Sequence, residues 1–305
     1  MECNNKPLVT FSVLFYNQER FVRDAVKGAL SQDYENLEIV LSDDCSTDST
    51  YSILKECVKN YNGPHKIVLN RNQHNLGIMA HCEKIFKDYF HGEIMVGAGG
   101  DDVSLPTRVS ESVAFLLSHP QVQSLTTFSE QVDINLEPIS GRNDFICEGE
   151  SSVFSLDDYF RFKDFVVNSS DSRAFRRSLI DKFPPLSISK EEDLEMFFRS
   201  LLIGQVAIMR TPLVKRRVHG QNISKKAHSI DYRNSQKEQM LSDAKYALER
   251  GYINQLQYDR SKKKIEEVIK VLINVDNSRR HPLIYSCFHH FDRLLDSIYM
   301  WICKF

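Results

Sequence analysis

The first hundred residues alternate between two periodicities, and that alternation limits the folds open to the chain more than any other feature. "PLVTFSVLF" (7–15) is a β-branched and aromatic run opening on a proline, a buried strand by length and composition. "ERFVRDAVKGALSQ" follows, with Phe21, Val22, Ala25, Val26, Ala29 and Leu30 at helical spacing. The unit then recurs: "LEIVLS" (37–42) and a helix around 49–59, "KIVLN" and the helical "IMAHCEKIFKDYF", then "GEIMVGA" as a fourth strand. Strands separated by helices predict a mostly parallel sheet with right-handed crossovers, the doubly wound α/β class. Further on, "RVSESVAFLLS" predicts a helix, "SLTTFSE" a strand, "EEDLEMFFRSLLIG" a helix stopped by Gly204, and "QVAIM" another strand. Residues 133–170 are aromatic-rich and take no firm assignment. The composition turns basic and helical at Ser224-Lys225-Lys226, so residues 1–224 are expected to form the main domain and 225–305 a C-terminal helical region.

Ligands of such sheets sit beyond the carboxyl ends of the strands. Asp43-Asp44 follow strand two, and Asp101-Asp102 follow strand four in the bare loop "GAGGDDVSLP". Both acidic pairs are therefore expected to face one crevice. Two unit charges about 4 Å apart repel by about 4 kcal/mol at the effective dielectric of a protein surface, so each carboxylate needs a partner. Backbone N–H groups at helix starts, arginines and a divalent cation are the candidates. Magnesium and manganese take oxygen ligands and bridge carboxylates to a substrate diphosphate, which glycines allow to approach the backbone. An aspartate after a strand is, taken singly, more often a helix cap or turn former. The joint placement of the two pairs at one edge favours a ligand site.

Charge and cysteine content narrow the partners. Lys and Arg total 39 against 41 Asp and Glu, a net charge of −2, so no global field draws the chain to nucleic acid. The seven cysteines are scattered without a C-x-x-C pair, which fits neither a disulfide framework nor a zinc knuckle and suits a reducing compartment. "MECNNKPLVTF" lacks the basic and apolar regions of a secretory signal, so a cytoplasmic location is expected. The stretch 283–303 is too polar to span a bilayer, yet Ile284, Phe288, Phe291, Leu295, Ile298 and Ile302 form an apolar stripe. Such a stripe packs on its own domain, on a second copy of the chain, or along the inner face of a membrane. Neither a G-x-G-x-x-G after the first strand nor a Walker, zincin or nucleophile-elbow motif is present.

"VTFSVLFYNQERFVRDAVKGALSQDYENLEIVLSDDCSTDST" resembles the opening of the family-2 glycosyltransferases, nucleotide-sugar-dependent enzymes of the GT-A fold. The resemblance continues through Asn75-Leu76-Gly77, "GGDDVSLPTRV", "EEDLEMFFRSLLIG" and "VKRRVHGQNIS", covering about residues 7 to 224. It implies that Asp44 bonds the nucleobase, typically uracil, with Asp43 and the Tyr16-Asn17 loop alongside. It implies that Asn75 and Gly77 also belong to the nucleotide-sugar site, that Asp101 binds Mn2+ or Mg2+, and that Asp102 supports it. Arg217 and His219 match an Arg-x-His element near the phosphates, His219 doubling as a metal ligand. Asp193 matches the catalytic base. One departure stands out: Gly99 occupies the place of the first aspartate of the usual Asp-x-Asp, so a contact normally given by that carboxylate is missing.

Sugar transfer needs a stabilised diphosphate leaving group and a deprotonated acceptor hydroxyl attacking the opposite face of the anomeric carbon. The resemblance therefore implies an inverting transferase using a UDP-sugar and a glycan or lipid-linked acceptor. The competing reading, motivated by Gly99, is a nucleotide-sugar-binding protein without turnover. As structure alone, Asp193 would favour a helix dipole, and Arg176-Arg177 are expected to be solvated, with an anionic acceptor as the other reading.

Overall fold

The computed structural model describes residues 6–139, 151–161, 172–190, 192–220 and 228–280. The expected boundary at 224/225 and the stripe at 283–303 lie outside them. The first half is built as the periodicities predict: β1 (Val9–Phe15), α1 (Val22–Leu30), β2 (Leu37–Asp43), α2 (Thr50–Val58), β3 (Lys66–Arg71), α3 (Ile78–Asp88) and β4 (Ile94–Gly99). These strands lie in the order β3-β2-β1-β4 with every pairing parallel. β2 is buried at all seven residues, whereas β3 at the edge is half-buried, which is why the former reads as a continuous apolar run. Val9, Phe11, Val13 and Phe15 of β1 are almost wholly buried, each contributing about 1.5–3 kcal/mol.

Beyond β4 the sheet becomes mixed. The remaining elements are β5 (Val103–Ser104), α4 (Arg108–Ser118), β6 (Val122–Val132), β7 (Ser151–Phe154), α5 (Leu156–Arg161), β8 (Arg173–Arg176), α6 (Ser178–Asp181), α7 (Asp193–Ile203), β9 (Gln205–Arg217), α8 (Ile230–Glu249) and α9 (Gln255–Arg280). β8 runs antiparallel between β4 and β6, and β9 lies parallel to β6. Both β6 and β9 extend past the strands expected at 124–130 and 205–209. The sequence hides this because Pro212 and a run of charges follow Met209. Pro212 sits where the β6–β9 register shifts around Phe128, a place where its missing N–H is tolerated. Past that irregularity, Val214 and Lys215 pair with Ser104 and Val103 of β5, which brings Arg217 and His219 back to the loop after β4.

A second core joins Phe197, Phe198, Leu201 and Leu202 of α7 to Met240, Ala244 and Ala247 of α8 and to Ile265, Val268 and Ile269 of α9. Within it Arg199 and Asp243 form a two-bond ion pair, Nε to Oδ2 and Nη2 to Oδ1, both at 2.8 Å. Among the described residues no helix is long and apolar enough to cross a membrane.

Candidate active site

Register places the ends of three neighbouring strands in line. Phe15 stands opposite Asp43, and Leu14 opposite Gly99, so the loops after β1, β2 and β4 leave the sheet side by side. The first two are stitched together by side chains. Asn17 adopts a left-handed φ of 52°, which asparagine tolerates, and its Oδ1 accepts from the Thr47 backbone N–H at 2.8 Å. The Asn17 N–H donates to Ser46 Oγ (2.9 Å), and Ser46 in turn donates from both Oγ and N to Asp43. Arg71 Nε, 3.3 Å from Asp43 Oδ2, balances that fully buried carboxylate. Tyr16 is 45% exposed at the same place.

Asp44 is engaged differently from the expectation of a carboxylate waiting for a nucleobase. Its Oδ1 accepts from Asn72 Nδ2 (2.8 Å) and the Leu76 N–H (2.9 Å), and its Oδ2 from the Gly77 N–H (2.9 Å). Asn75 Oδ1 accepts from the same Gly77 N–H at 2.8 Å. Gly77 has φ +77° and caps α3, so Asp44 and Asn75 together tie down the start of that helix. His81, one turn on, meets Ser42 Oγ at 2.6 Å. Burial lowers the His81 pKa despite the opposing pull of Asp44 and Asp43, which favours the neutral ring.

The loop after β4 carries the second acidic pair. Gly100 is closely packed: a Cβ there would overlap the Phe15 ring and Gln18 Oε1. A Cβ on Gly99 would stand 2.9 Å from Asp101 Oδ1 and 4.0 Å from Asp102 Oδ2, so a side chain there would press on the Asp101 carboxylate and the glycine lets that carboxylate lie close to the backbone. Asp102 Oδ1 accepts from the Arg217 N–H at 2.8 Å, and Asp101 Oδ2 lies 3.1 Å from His219 Nε2. The His219 ring also packs on Phe21, with centroids 5.0 Å apart. Arg217 is turned inward, 1% exposed. Its Nη1 donates to the Asp101 carbonyl (2.9 Å), its Nη2 to Asp24, and its guanidinium stacks over Phe21. Arg217 thus latches α1 to the Asp101 loop, and His219 is the member of the pair that faces a carboxylate of that loop.

Asp193 opens α7, its carboxylate nearly buried. Arg173 Nη1 stands 3.3 Å from Asp193 Oδ1, and Arg173 Nη2 donates to the Asp193 carbonyl at 3.1 Å. α3 connects this carboxylate to the Asp44 loop. Cys82 on that helix is buried, and burial together with the neighbouring Glu192 and Asp193 pushes its thiol well above the ordinary range. Arg173 precedes Ala174, which pairs with Val96 in the middle of β4, so β8 carries Arg173 toward the carboxyl end of that strand. Asp193 therefore stands at the same sheet edge as the acidic loops.

Sequence reasoning missed Arg71, Asn72, Asp24 and Arg173, because each acts through a partner distant in the chain. It also took Arg176 as solvated, which the structure does not bear out. Arg176 donates to the carbonyls of Val122 and Leu116, while Arg177, its side chain still 40% exposed, donates to that of Phe90, and both lie at the far end of the sheet. The acidic residues all have protein partners, so their mutual repulsion does not by itself demand a cation. Among the described residues no group of three or more His, Cys, Asp or Glu forms a cage. Asp101 and His219 make a two-residue set beside Gly99. That fits a hard cation arriving with a diphosphate, since magnesium-type ions take one or two protein carboxylates and fill the rest with phosphate oxygens and water.

Comparison with known proteins identifies the fold and the family. Putative glycosyltransferase EpsE of Bacillus subtilis is 34% identical over 125 residues, 41% of this chain and 44% of EpsE. An Escherichia coli protein, UDP-Glc:alpha-D-GlcNAc-diphosphoundecaprenol beta-1,3-glucosyltransferase WfaP, is 30% identical over 112 residues, 36% of this chain and 41% of WfaP. The chain thus matches less than half the length of these relatives. Among solved structures, S. aureus TarS 1–349 in complex with UDP-GlcNAc superposes with a TM-score of 0.63 at 17% identity, over 85% of this chain and 71% of TarS 1–349. The mannosyltransferase PcManGT of Pyrobaculum calidifontis, in complex with GDP-Man and Mn2+, gives a TM-score of 0.57 at 15% identity, covering 99% and 84% of the two chains. These two are likenesses of fold, and the GT-A architecture expected from the sequence is the one found. The profile of Glycosyl transferase family 2 matches residues 10–183, more than half of the chain, and the chain belongs to that family.

Proposed function

We propose that the chain is an inverting glycosyltransferase that moves a sugar from a UDP-sugar to a hydroxyl of a glycan or lipid-linked acceptor, as in cell-surface polysaccharide assembly. The observation that carries the reading is the convergence of the Asp43-Asp44 loop, the Asp101-Asp102 loop and Asp193 on one sheet edge. The uridine lies along the β1 and β2 loops, with Tyr16, Asn17, Asp43, Asn75 and Gly77 shaping its pocket and the exposed Tyr16 ring available for stacking. Asp44 reads the base with the lone pair its three internal bonds leave over, or through the loop it holds.

Asp193 takes the acceptor proton as the acceptor oxygen bonds to the anomeric carbon. The bond from that carbon to the diphosphate breaks on the opposite face, and UDP leaves with the electron pair. One displacement by one carboxylate inverts the configuration. Asp101 and His219 would hold Mn2+ or Mg2+, which neutralises charge on the departing diphosphate. Asp102 and Arg217 keep the Asp101 loop in place. Support for a nucleotide-sugar donor comes from the UDP-GlcNAc and GDP-Man complexes of the structural relatives, and support for a lipid-linked acceptor from the name of WfaP.

The test is acceptor-dependent release of UDP with manganese across a panel of UDP-sugars and acceptors, comparing the native chain with Asp193→Asn and reading the product's anomeric configuration by NMR. Transfer with inversion that is lost in Asp193→Asn is expected. Equal turnover by both proteins would refute the base. Gly99 and the two-residue cation set favour one other reading, a donor-binding protein without turnover. UDP binding with no transfer to any acceptor would establish it.

A further inference from the structure

We propose that Arg173 is a positioning residue for the transfer, its guanidinium fork fixing the Asp193 carboxylate in the orientation from which it takes the acceptor proton. This rests on the reading of Asp193 as the base. Arg173 is 6% exposed and grips one residue at two points, the side-chain Oδ1 at 3.3 Å and the main-chain carbonyl at 3.1 Å. A carboxylate that served only as helix-start charge would need no such grip, because the N–H groups and dipole of its own first turn suffice.

The other end of the same short strand supplies the contrast. Arg176 is half-buried, and its donors go to the Val122 and Leu116 carbonyls and simply close gaps in the backbone hydrogen bonding. Since β8 is antiparallel to β4, Arg176 lies beside Ile94 at the start of β4, while Arg173 lies near its end, at the ligand edge. Acidic and neutral groups also stand near Asp193. Glu192 and Glu195 flank it on α7, and Cys82 faces it from α3 with its thiol kept protonated. Arg173 is a cation paired with the base, and it arrives from a different element, so it ties the start of α7 to the sheet. A cation beside a base weakens the base, so the contribution is orientation: a misplacement of about 1 Å costs about 100-fold in rate.

Arg173→Gln and Arg173→Lys in the full chain are measured beside Asp193→Asn, with the donor and acceptor that give transfer in the native protein and with UDP as the binding probe. Arg173→Gln is expected to lower kcat by about 10- to 100-fold while leaving donor KM and UDP affinity within about twofold, and Arg173→Lys to recover part of the loss. A near-native kcat in Arg173→Gln overturns the proposal. So does a loss of UDP affinity as large as the loss of kcat, which would mark a merely structural contact. Should Arg173→Gln not fold, Arg173→Lys carries the test: a kcat about fivefold down with native UDP binding supports the grip, since an ammonium lacks the fork, and native kcat overturns it. Asp193→Asn separates the two layers of the argument. Full activity there defeats the base itself, and inactivity there with an unaffected Arg173→Gln defeats only the positioning.

Discussion

Replacing Asp44 by alanine distinguishes a carboxylate that waits for a ligand from one that holds the protein together. In the ligand-free structure it accepts three hydrogen bonds, from Asn72 Nδ2, Leu76 N and Gly77 N. Bonds to a charged acceptor contribute about 1.5–3 kcal/mol each, but the three losses are unequal. Gly77 N keeps Asn75 Oδ1 as a partner, and half-buried Leu76 turns to water, so each loses little. Asn72 is 5% exposed and loses its bond outright. Removing a negative charge from the start of α3 adds about 0.5–1 kcal/mol. The sum is about 3 kcal/mol. With a urea m-value of about 2–3 kcal/mol/M, the unfolding midpoint of the ligand-free protein should fall by about 1 M, read by far-ultraviolet circular dichroism. UDP affinity, measured calorimetrically well below the midpoint, should fall as well, since the 72–77 loop is released. A ligand-free stability within about 0.5 kcal/mol of the native value, alongside a large loss of UDP affinity, would falsify the reasoning, because the carboxylate would then serve the nucleotide alone.

Two further outcomes follow from features away from Asp44. Glu38 is buried, which works to raise its carboxyl pKa, but bonds from Lys66, His91 and Thr10 outweigh burial and hold it below the ordinary value. Its contribution to stability is therefore present above the unfolded pKa of about 4.3 and is lost as pH falls through the lower folded value. Urea titrations from pH 6 to 3 should show Glu38→Gln losing less stability than the native chain, and parallel curves would contradict this. Gly100→Ala forces a methyl group into the Phe15 ring and Gln18; a loss of about 1–3 kcal/mol, or about 2–12 °C by differential scanning, is expected, with weakened UDP binding. An unchanged melting temperature would show that the loop after β4 has room to shift.

The portion of the fold legible in the sequence is the portion made by local periodicity. β1 to β4 and α1 to α3 each carry enough apolar residues at one spacing to be recognised alone. β7 and β8 have four residues each, too few for a period, and β8 is antiparallel, so nothing near it in sequence announces its place beside β4. β9 was cut short by Pro212, whose harmless position at an irregularity is visible only in three dimensions. The site follows the same division. Asp43, Asp44, Asp101 and Asp102 stand at strand ends and were visible as such. Their partners Arg71, Asn72 and Asp24, like the Arg173 that grips Asp193, come from other elements. Charge repulsion alone consequently does not require a cation, because protein groups already answer each acid.

Helix α7 has no wet face. From Asp193 to Leu202 every residue is buried, down to the arginine and the glutamate, with the sheet on one flank and α8 on the other. A helix of that kind takes its position from whatever encloses it, and Arg199 clasping Asp243 makes α8 one of the two walls. A change in the late helices would therefore move the residue proposed to do the chemistry without touching it. An attempt to shorten this protein by removing the late helices would leave that residue on a greasy rod in water, so insolubility, rather than altered turnover, is what such a fragment should display first.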